Sequence, residues 1–352
     1  MAEIGIHTFS LFHKLSYSDV QNLIELLQDR GHCRKVKQDL NCSNRTYFSD
    51  YFSEYGVLIY LYQHLNGRSG ISFRVTPCTV LEGKYAATAL YQPTKENYRK
   101  LTDILDELLE ELELEFASDE MSISRADPCA NIHLKDAAAV SEYLRIFRKS
   151  RVIRHYKVDS YTRDSKSVKN ANEANQHSYR QKSKRASFTA YDKGYVLQQR
   201  DRCPDDLLSK GILRIEAGLQ REALLKRIKA EKKWTNYKIL KECAKQAPKI
   251  LTKYIRQLMC EGMYVQYKDA VALIESAKMK KKMRERMLYL LRKTSDSDHL
   301  DNAVKKLKKK YDLNNNQVNR ILKRFEKLEI SPITLKNSSD VSVLPSLLSV
   351  LC

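Results

Sequence analysis

Two short segments place a phenol, a lysine, an arginine and a carboxylate at spacings that could support chemistry. They are FTAYDKGYVL at 188–197 and ILRIEAGL at 212–219. Side chains alternate along a strand, so Tyr191 and Lys193 share one face, as do Arg214 and Glu216. A phenol has a pKa of about 10 and attacks poorly at neutral pH, so it needs a cation or metal ion to stabilise its phenolate. If this face is an active site, Lys193 is placed to stabilise that phenolate.

Other predicted strands add ionisable side chains to a common face. SISRADP places Arg125 beside Asp127, and ISFRVTP places Arg74 beside Thr76. Either Arg214 or Arg125 could hold a nonbridging phosphate oxygen. The alternative is an ordinary solvated face, since half-exposed antiparallel strands carry polar residues on their outer side.

The metal chemistry that these residues allow is that of a hard ion. The eight cysteines and eight histidines form no CxxC, HxH or HExxH pattern, so neither a zinc site nor a disulfide framework is predicted. Asp and Glu oxygens suit Mg²⁺ or Mn²⁺.

Composition limits the class of protein. The chain has 352 residues, 42% hydrophobic and 30% charged, which is enough for a core and for two domains. The net charge of +20 favours a polyanion as partner, nucleic acid before an anionic membrane surface. There is no apolar run of about 20 residues and no signal-peptide pattern, so we expect a cytoplasmic protein without a membrane partner.

The elements that must position these residues indicate an α+β fold. Segments with strand character alternate with amphipathic helices through residues 1–220, which we predict to be an antiparallel-sheet catalytic domain with flanking helices. Residues 221–330 are helical, with 30 Lys plus Arg against 13 acids, and are predicted to be a basic DNA-binding domain. Residues 331–352 are predicted to be a loose tail.

A second basic stretch leads up to Tyr191 and includes it. Residues 145–193 hold fourteen Lys plus Arg against four acids, and they predict a mobile loop or edge hairpin that orders on a phosphate backbone. Lys182, Lys184 and Arg185 are its candidate DNA contacts. The alternative is an insertion that charge keeps soluble.

The helical region ends in the outline of a helix-turn-helix. DNAVKKLKKKYDLNNNQVNRILKRFEKL predicts two helices joined by an Asn-rich turn. The side chains at the start of the second helix would face a major groove, where they can pair with base edges. They are Asn316, Gln317, Asn319 and Arg320. An ordinary basic helical hairpin is the alternative.

Four segments in order, ISFRVTPCTVL, ISRADPCANIHL, FTAYDKGYVL and ILRIEAGLQRE, carry a family resemblance. They resemble the trans-acting replication initiators of Gram-positive rolling-circle plasmids, phages and integrated elements, over residues 70–222. The resemblance implies a metal-dependent DNA nicking and joining enzyme with Tyr191 as nucleophile and Asp127 and Glu216 as metal ligands. The chain departs from the family at Thr76, where Asn is common before Pro, and at Gly218, where a second acid is common.

The resemblance also implies products and partners. Attack would leave a 5′-phosphotyrosine and a free 3′-hydroxyl that primes a polymerase. The partners would be double-stranded, locally melted origin DNA and a host helicase and polymerase, with a homodimer as one oligomeric option. Three further tyrosines compete for the nucleophile's role: Tyr161, Tyr179 and Tyr195.

The sequence also allows other classes of protein and disfavours two of them. A non-catalytic DNA-binding regulator that uses the helix-turn-helix is the main alternative, and charge alone does not separate DNA from RNA. A tyrosine recombinase is disfavoured because its Arg, His-x-x-Arg, Tyr series is missing. A histidine-pair nicking enzyme is disfavoured because the chain has no HxH.

Overall fold

The computed structural model describes residues 2–38, 44–64, 67–135, 137–159, 175–199, 211–231, 233–297 and 299–351. The α+β prediction is confirmed, because a large antiparallel sheet dominates the first 220 residues and helices dominate the rest. Among the described helices, none is both long and apolar enough to cross a membrane.

Ten strands form the main sheet, in the order β2-β3-β4-β5-β1-β6-β10-β9-β8-β7. Every neighbouring pair is antiparallel. The strands are β1 Ala2–Lys14, β2 Cys33–Gln38, β3 Arg45–Ser49, β4 Val57–Gln63, β5 Gly70–Val75, β6 Ser122–His133, β7 Lys157–Val158, β8 Ser178–Lys182, β9 Ala186–Asp192 and β10 Ile212–Gln220. A second, two-stranded sheet pairs β11 Tyr264–Val265 with β12 Val343–Leu344.

Twelve α-helices lie within the described residues. They are α1 Tyr17–Asp29, α2 Pro77–Glu82, α3 Lys95–Glu111, α4 Ala137–Lys149, α5 Lys193–Gln198, α6 Arg221–Ile228, α7 Asn236–Leu258, α8 Tyr267–Ser276, α9 Lys281–Asp296, α10 Leu300–Tyr311, α11 Asn315–Lys327 and α12 Leu347–Leu351.

The sheet has one apolar face and one polar face. Strand alternation puts Ile59, Phe73 and Ile215 on the first face, where all three are fully buried. Helices α1, α4 and α7 pack on the sheet through their own apolar stripes. Because α7 lies against β1, β6 and β10, the helical region continues the core of the sheet beyond residue 220. The predicted boundary at that residue stays a prediction.

Strand β1 carries a bulge in the middle of the polar face. Ile6 pairs with Pro128 and Thr8 with Asp127, so His7 is the extra residue. Pro128 has no N–H to donate to the ladder, which suits the irregular pairing at this point. The bulge lets two consecutive side chains, His7 and Thr8, both contact carboxylates of the polar face.

Two predictions about local structure need correction, and one strand was not predicted. Strand β9 ends at Asp192, whose side chain accepts a hydrogen bond from Tyr195 N and caps α5, so Lys193 begins a helix instead of continuing the strand. The tail is packed, since Leu347, Leu348 and Leu351 are buried. The sequence reading also missed β2, a short, basic strand at the sheet edge.

The predicted helix-turn-helix outline is confirmed by α10 and α11. Asn314 caps α11, and Gln317 completes a capping box with it, because each side chain accepts from the other residue's backbone N–H. In the basic stretch, β7 and β8 pair at the sheet edge, as an edge hairpin requires.

Candidate active site

Tyr191 and Glu216 meet on the polar face of the sheet. Tyr191 pairs with Arg214 across β9 and β10, and its hydroxyl donates to Glu216 Oε1 at 2.5 Å. The tyrosine is only 9% exposed. Burial raises the pKa of Tyr191 well above its usual range, the charge of Glu216 adds to this, and Arg214 opposes it. The phenol is therefore neutral at rest and already hydrogen-bonded to a base.

His7 completes this cluster, although no sequence pattern predicts it as a site residue. Its Nδ1 lies 2.8 Å from Glu216 Oε1, the oxygen that also accepts from Tyr191. Burial lowers the pKa of His7, although Glu216 opposes that shift. A lone histidine in IGIHTFSL gave no motif, and only the β1 bulge brings it to the carboxylate.

Glu216 is held as a carboxylate. Burial by itself would raise the pKa of Glu216, but His7, Arg214 and Tyr191 outweigh it and hold that pKa well below its usual range.

Arg214 is a fully buried cation with one unused donor. Its Nε donates to Asn131 Oδ1 and its Nη2 to the Thr88 carbonyl, each at 2.6 Å. Its Nη1 is buried and has no hydrogen-bond partner among the described residues. The guanidinium interacts electrostatically with both Tyr191 and Glu216. An orphaned buried donor beside a candidate nucleophile suits an anionic oxygen that arrives with the substrate.

Asp127 forms a second cluster one strand away. Arg125 Nε donates to Asp127 Oδ1 at 2.7 Å, and Thr8 Oγ1 donates to Asp127 Oδ2. Arg74 Nη2 is 3.9 Å from the same Oδ2. Asp127 is 1% exposed, while the Arg125 and Arg74 side chains are 24% and 37% exposed. The carboxylate is thus buried, and the two arginines beside it are partly exposed.

Gly218 has no side chain, and the second cluster occupies the space that a side chain at this position would need. A Cβ at this position would lie 2.5 Å from Ser187 Oγ, 2.7 Å from Arg125 Nη2 and 3.2 Å from Asp127 Oδ1. The space that a side chain at position 218 would need is therefore occupied by Ser187 and by the Arg125 and Asp127 side chains of β6.

Lys193 lies near the cluster, but it belongs to a helix and not to the predicted strand. It is the first residue of α5 and is 4% exposed. Its charge contributes to the lowered pKa of His7 and opposes the raised pKa of the buried Cys129 thiol. The lysine therefore adds positive charge to the site from the start of a helix.

The rival tyrosines occupy other environments. Tyr179 is buried on the opposite face of the sheet, where its ring stacks on Phe147. Tyr195 lies in α5 and stacks on His177 with ring centroids 3.7 Å apart. Tyr161 lies outside the described residues.

The two candidate metal ligands lie on the same face, two residues apart in register. Glu216 pairs with Cys129, and Asp127 is the next residue of β6 on that face, a diagonal separation of about 7 Å. Within the ranges that the structure describes, no three His, Cys, Asp or Glu side chains are placed to hold a metal ion. A pair of carboxylates still suits Mg²⁺, which is commonly bound by one or two carboxylates plus substrate phosphates and water.

The predicted DNA contacts fall on exposed surfaces. Lys182 and Arg185 are exposed and paired with Asp159 and Glu222, at 2.8 and 2.6 Å, and Lys184 is exposed. On α11, Asn316, Asn319 and Arg320 are exposed, and all three line a basic cavity of about 560 Å³. Gln317 differs, because it is half-buried and its side chain is engaged in the helix cap.

The chain has little detectable similarity to known proteins. No family model and no curated protein matches the chain. Among solved structures, the chain is similar to a rolling circle replication initiator protein from Geobacillus stearothermophilus, with a TM-score of 0.31 and 9% identity over 73% of this chain and 86% of that one. A likeness at this level identifies no family.

Proposed function

We propose that the chain cuts one strand of DNA by forming a covalent bond between Tyr191 and the 5′ phosphate at the cut. The observation that carries the proposal is the hydrogen bond from the Tyr191 hydroxyl to Glu216 Oε1 at 2.5 Å, inside a buried cluster with an arginine. A nucleophile, its base and a cation then lie within contact of one another. The net charge of +20 supports a polyanionic substrate.

The proposed reaction exchanges one phosphodiester for another. The Tyr191 oxygen bonds to phosphorus while the bond from phosphorus to the departing 3′ oxygen breaks. Glu216 accepts the phenol's proton, and the departing oxygen takes up one proton in return. Because a phosphotyrosine bond replaces a phosphodiester bond, the reverse attack by a 3′-hydroxyl rejoins the strand.

Cations make the proton transfer feasible. The pKa of the phenol is raised and that of Glu216 is lowered, so transfer between them is unfavourable in the resting site. In this proposal Arg214 offers its unpartnered Nη1 to a nonbridging oxygen, and Arg125, whose Nε is bonded to Asp127, offers its remaining N–H groups. Lys193 adds positive charge beside His7. In this proposal the substrate phosphate and the phenolate share these three cations.

Mg²⁺ or Mn²⁺ is part of the proposal. Asp127 and Glu216 would supply its carboxylate oxygens, and the ion, when bound, would neutralise charge on the reacting phosphate. Asp127 is neutralised by Arg125 in the resting site, so binding of the ion competes with that pair.

The wider role that we propose is initiation of rolling-circle replication. The four ordered segments that resemble such initiators include the strands of Tyr191, Glu216 and Asp127. The free 3′-hydroxyl would prime synthesis at a locally melted origin, with a host helicase and polymerase as partners. A homodimer and a cytoplasmic location belong to the same proposal.

The test uses DNA labelled at its 3′ end, because the protein would retain the fragment on that side of the cut. The purified chain is incubated with a pool of random single strands and Mg²⁺ or Mn²⁺, then separated under denaturing conditions. We expect label on the protein, lost with Tyr191→Phe and kept with Tyr195→Phe. Labelled protein that persists in Tyr191→Phe would overturn the assignment of the nucleophile.

A non-catalytic DNA-binding regulator is the second candidate. Exposed Asn316, Asn319 and Arg320 at the start of α11 favour it. It predicts sequence-specific duplex binding with a steep salt dependence and no adduct in any variant.

A further inference from the structure

Four aromatic side chains lie together on the polar face of the sheet, beside the Asp127 cluster. We define them as the aromatic patch: Phe12 of β1, Phe48 of β3, and Tyr60 and Tyr62 of β4. Phe48 pairs with Tyr60, Tyr60 with Ser72, and Ser72 with Phe12, so three of the rings lie in one row across four strands. The ring pairs Phe48–Tyr60 and Phe12–Tyr62 have centroids 5.4 and 6.1 Å apart.

The patch is kept open by small residues on the central strand β5. Ser72 lies between Tyr60 and Phe12 in the register, and Gly70 pairs with Tyr62. A Cβ at Gly70 would lie 2.7 Å from a Phe12 ring atom and 2.3 Å from the His13 carbonyl. The glycine therefore leaves room for the Phe12 ring beside β5, where it pairs with the Tyr62 ring.

The four rings are not part of the hydrophobic core. All are partly exposed, whereas their strand neighbours on the other face, such as Ile59, Leu61 and Phe73, are fully buried. None of the four belongs to the hydrophobic cluster or to the residues packed against it. Helices cover the apolar face, and the patch presents aromatic surface on the opposite side.

The charge around the patch selects a polyanion. Strands β2, β3, β4 and β5 contain no Asp or Glu, and three of their five basic residues lie on the face of the patch by register: Arg34, Lys37 and Arg74. The other two, Lys35 and Arg45, lie on the opposite face. The Arg34 guanidinium lies 5.2 Å from the Phe48 ring centroid. Aromatic rings with arginines and no acids form the surface on which single-stranded nucleic acids stack their bases.

The patch is continuous with the candidate active site. The row next to it pairs Leu58 with Arg74, Arg74 with Ser10, and Ser10 with Arg125. The charge of Arg125 interacts with the Tyr60 phenol as well as with Asp127. From β4 to β10 there are four strand spacings, about 19 Å, a span of a few nucleotides.

We infer that the aromatic patch binds unpaired bases of a single DNA strand whose backbone runs along Arg74 and Arg125 toward Tyr191. The position of the reacting phosphate rests on the proposed function, whereas the stacking of single-stranded DNA on the patch does not. A duplex, whose bases are already stacked, gains nothing from these rings.

The test measures binding without chemistry, in a Tyr191→Phe background. Fluorescence anisotropy gives the Kd for a labelled thymine 20-mer and for a 20-base-pair duplex. Tyr60→Ala and Tyr62→Ala should each weaken single-strand binding by roughly 5- to 100-fold and leave duplex binding within about twofold. Tyr60→Phe keeps the ring and should bind like its parent. Tyr55→Ala removes a tyrosine that is 57% exposed in a turn outside the patch and is the matched control.

Several outcomes would overturn the inference. Single-strand binding of Tyr60→Ala within twofold of its parent, or an equal loss for the duplex, would show that the rings do not stack bases. Tighter binding of a uracil RNA 20-mer than of the DNA would reassign the patch to RNA. One outcome separates the inference from the proposed function. If the patch variants lose single-strand binding while the unsubstituted protein forms no covalent adduct with DNA, the proposed nicking function fails and the stacking surface stands.

Discussion

The Tyr191 hydroxyl and Glu216 Oε1 lie 2.5 Å apart, and His7 Nδ1 reaches the same oxygen at 2.8 Å. One carboxylate oxygen therefore links a candidate nucleophile with a histidine. The pKa of Tyr191 is raised and that of Glu216 is lowered, so the proton rests on the phenol.

Removing the charge of Glu216 tests its role as base. Glu216→Gln keeps an oxygen acceptor but cannot take the phenol's proton, so adduct formation should slow by about 10²- to 10⁴-fold. The rate is measured with 3′-labelled DNA under single-turnover conditions. Glu222→Gln, an exposed glutamate paired with Arg185, is the control and should keep its parent's rate. Equal rates in both variants would remove Glu216 from the mechanism.

The lowered pKa of His7 predicts a pH dependence of stability. An unfolded histidine takes up a proton as pH falls through about 6.5, whereas the lowered pKa of folded His7 delays that uptake to lower pH, so this shift lowers the free energy of unfolding at acid pH. His7→Asn retains an amide nitrogen near the Nδ1 position and cannot be protonated. Between about pH 7.5 and 5.5, its free energy of unfolding should fall less than that of the parent chain.

Urea unfolding at several pH values measures this difference. His32→Asn changes a histidine whose side chain is 49% exposed and serves as the control. Parallel pH curves for His7→Asn and the parent would show that His7 is protonated equally in the folded and unfolded chain.

A substitution at Gly218 tests whether adduct formation depends on the position of the Arg125 side chain beside Asp127. The Cβ of Gly218→Ala would meet Ser187 Oγ and Arg125 Nη2, at 2.5 and 2.7 Å. We expect a stability loss of about 1–3 kcal/mol and slower adduct formation, because Arg125 must shift. Adding Ser187→Ala relieves the hydroxyl contact but not the arginine contact. The double variant should recover stability and stay slow; full recovery of both would exclude Arg125 from the reaction.

Asp127 tests the metal proposal. Asp127→Asn can still accept from Arg125 Nε through its amide oxygen, and its amide N–H can donate to Thr8 Oγ1, but it loses the charge that a hard ion requires. The Mg²⁺ concentration for half-maximal adduct formation should rise by about 10- to 100-fold. Asp159→Asn, whose parent carboxylate pairs with Lys182, should leave it unchanged. An unaltered Mg²⁺ dependence in Asp127→Asn would remove Asp127 from the ligand set.

Strand alternation was enough to predict much of the polar face. It placed Arg125 with Asp127 and Arg214 with Glu216, and the structure has each pair on that face. Alternation carries no information on which strands are neighbours, so the contact of Tyr191 with Glu216 follows from the β9–β10 register alone.

The errors have local physical causes. His7 was missed because a single bulged residue changes which side chains face the site, and no spacing rule encodes a bulge. Strand alternation puts Lys193 in a strand, because the sequence pattern alone does not show that Asp192 caps a helix. The segment 331–352 looks like a loose tail with one apolar patch in the sequence, yet five of its leucines are buried.

The central claim is a covalent bond between DNA and one named phenol, and peptide mapping of the adduct tests it most directly. The chain is incubated with single-stranded DNA and Mg²⁺, digested with nuclease and protease, and sequenced by mass spectrometry. We predict one modified peptide, with a 5′-linked nucleotide on Tyr191. A nucleotide on Tyr161, Tyr179 or Tyr195, or an unmodified Tyr191 in every preparation that cuts DNA, would contradict the proposed mechanism.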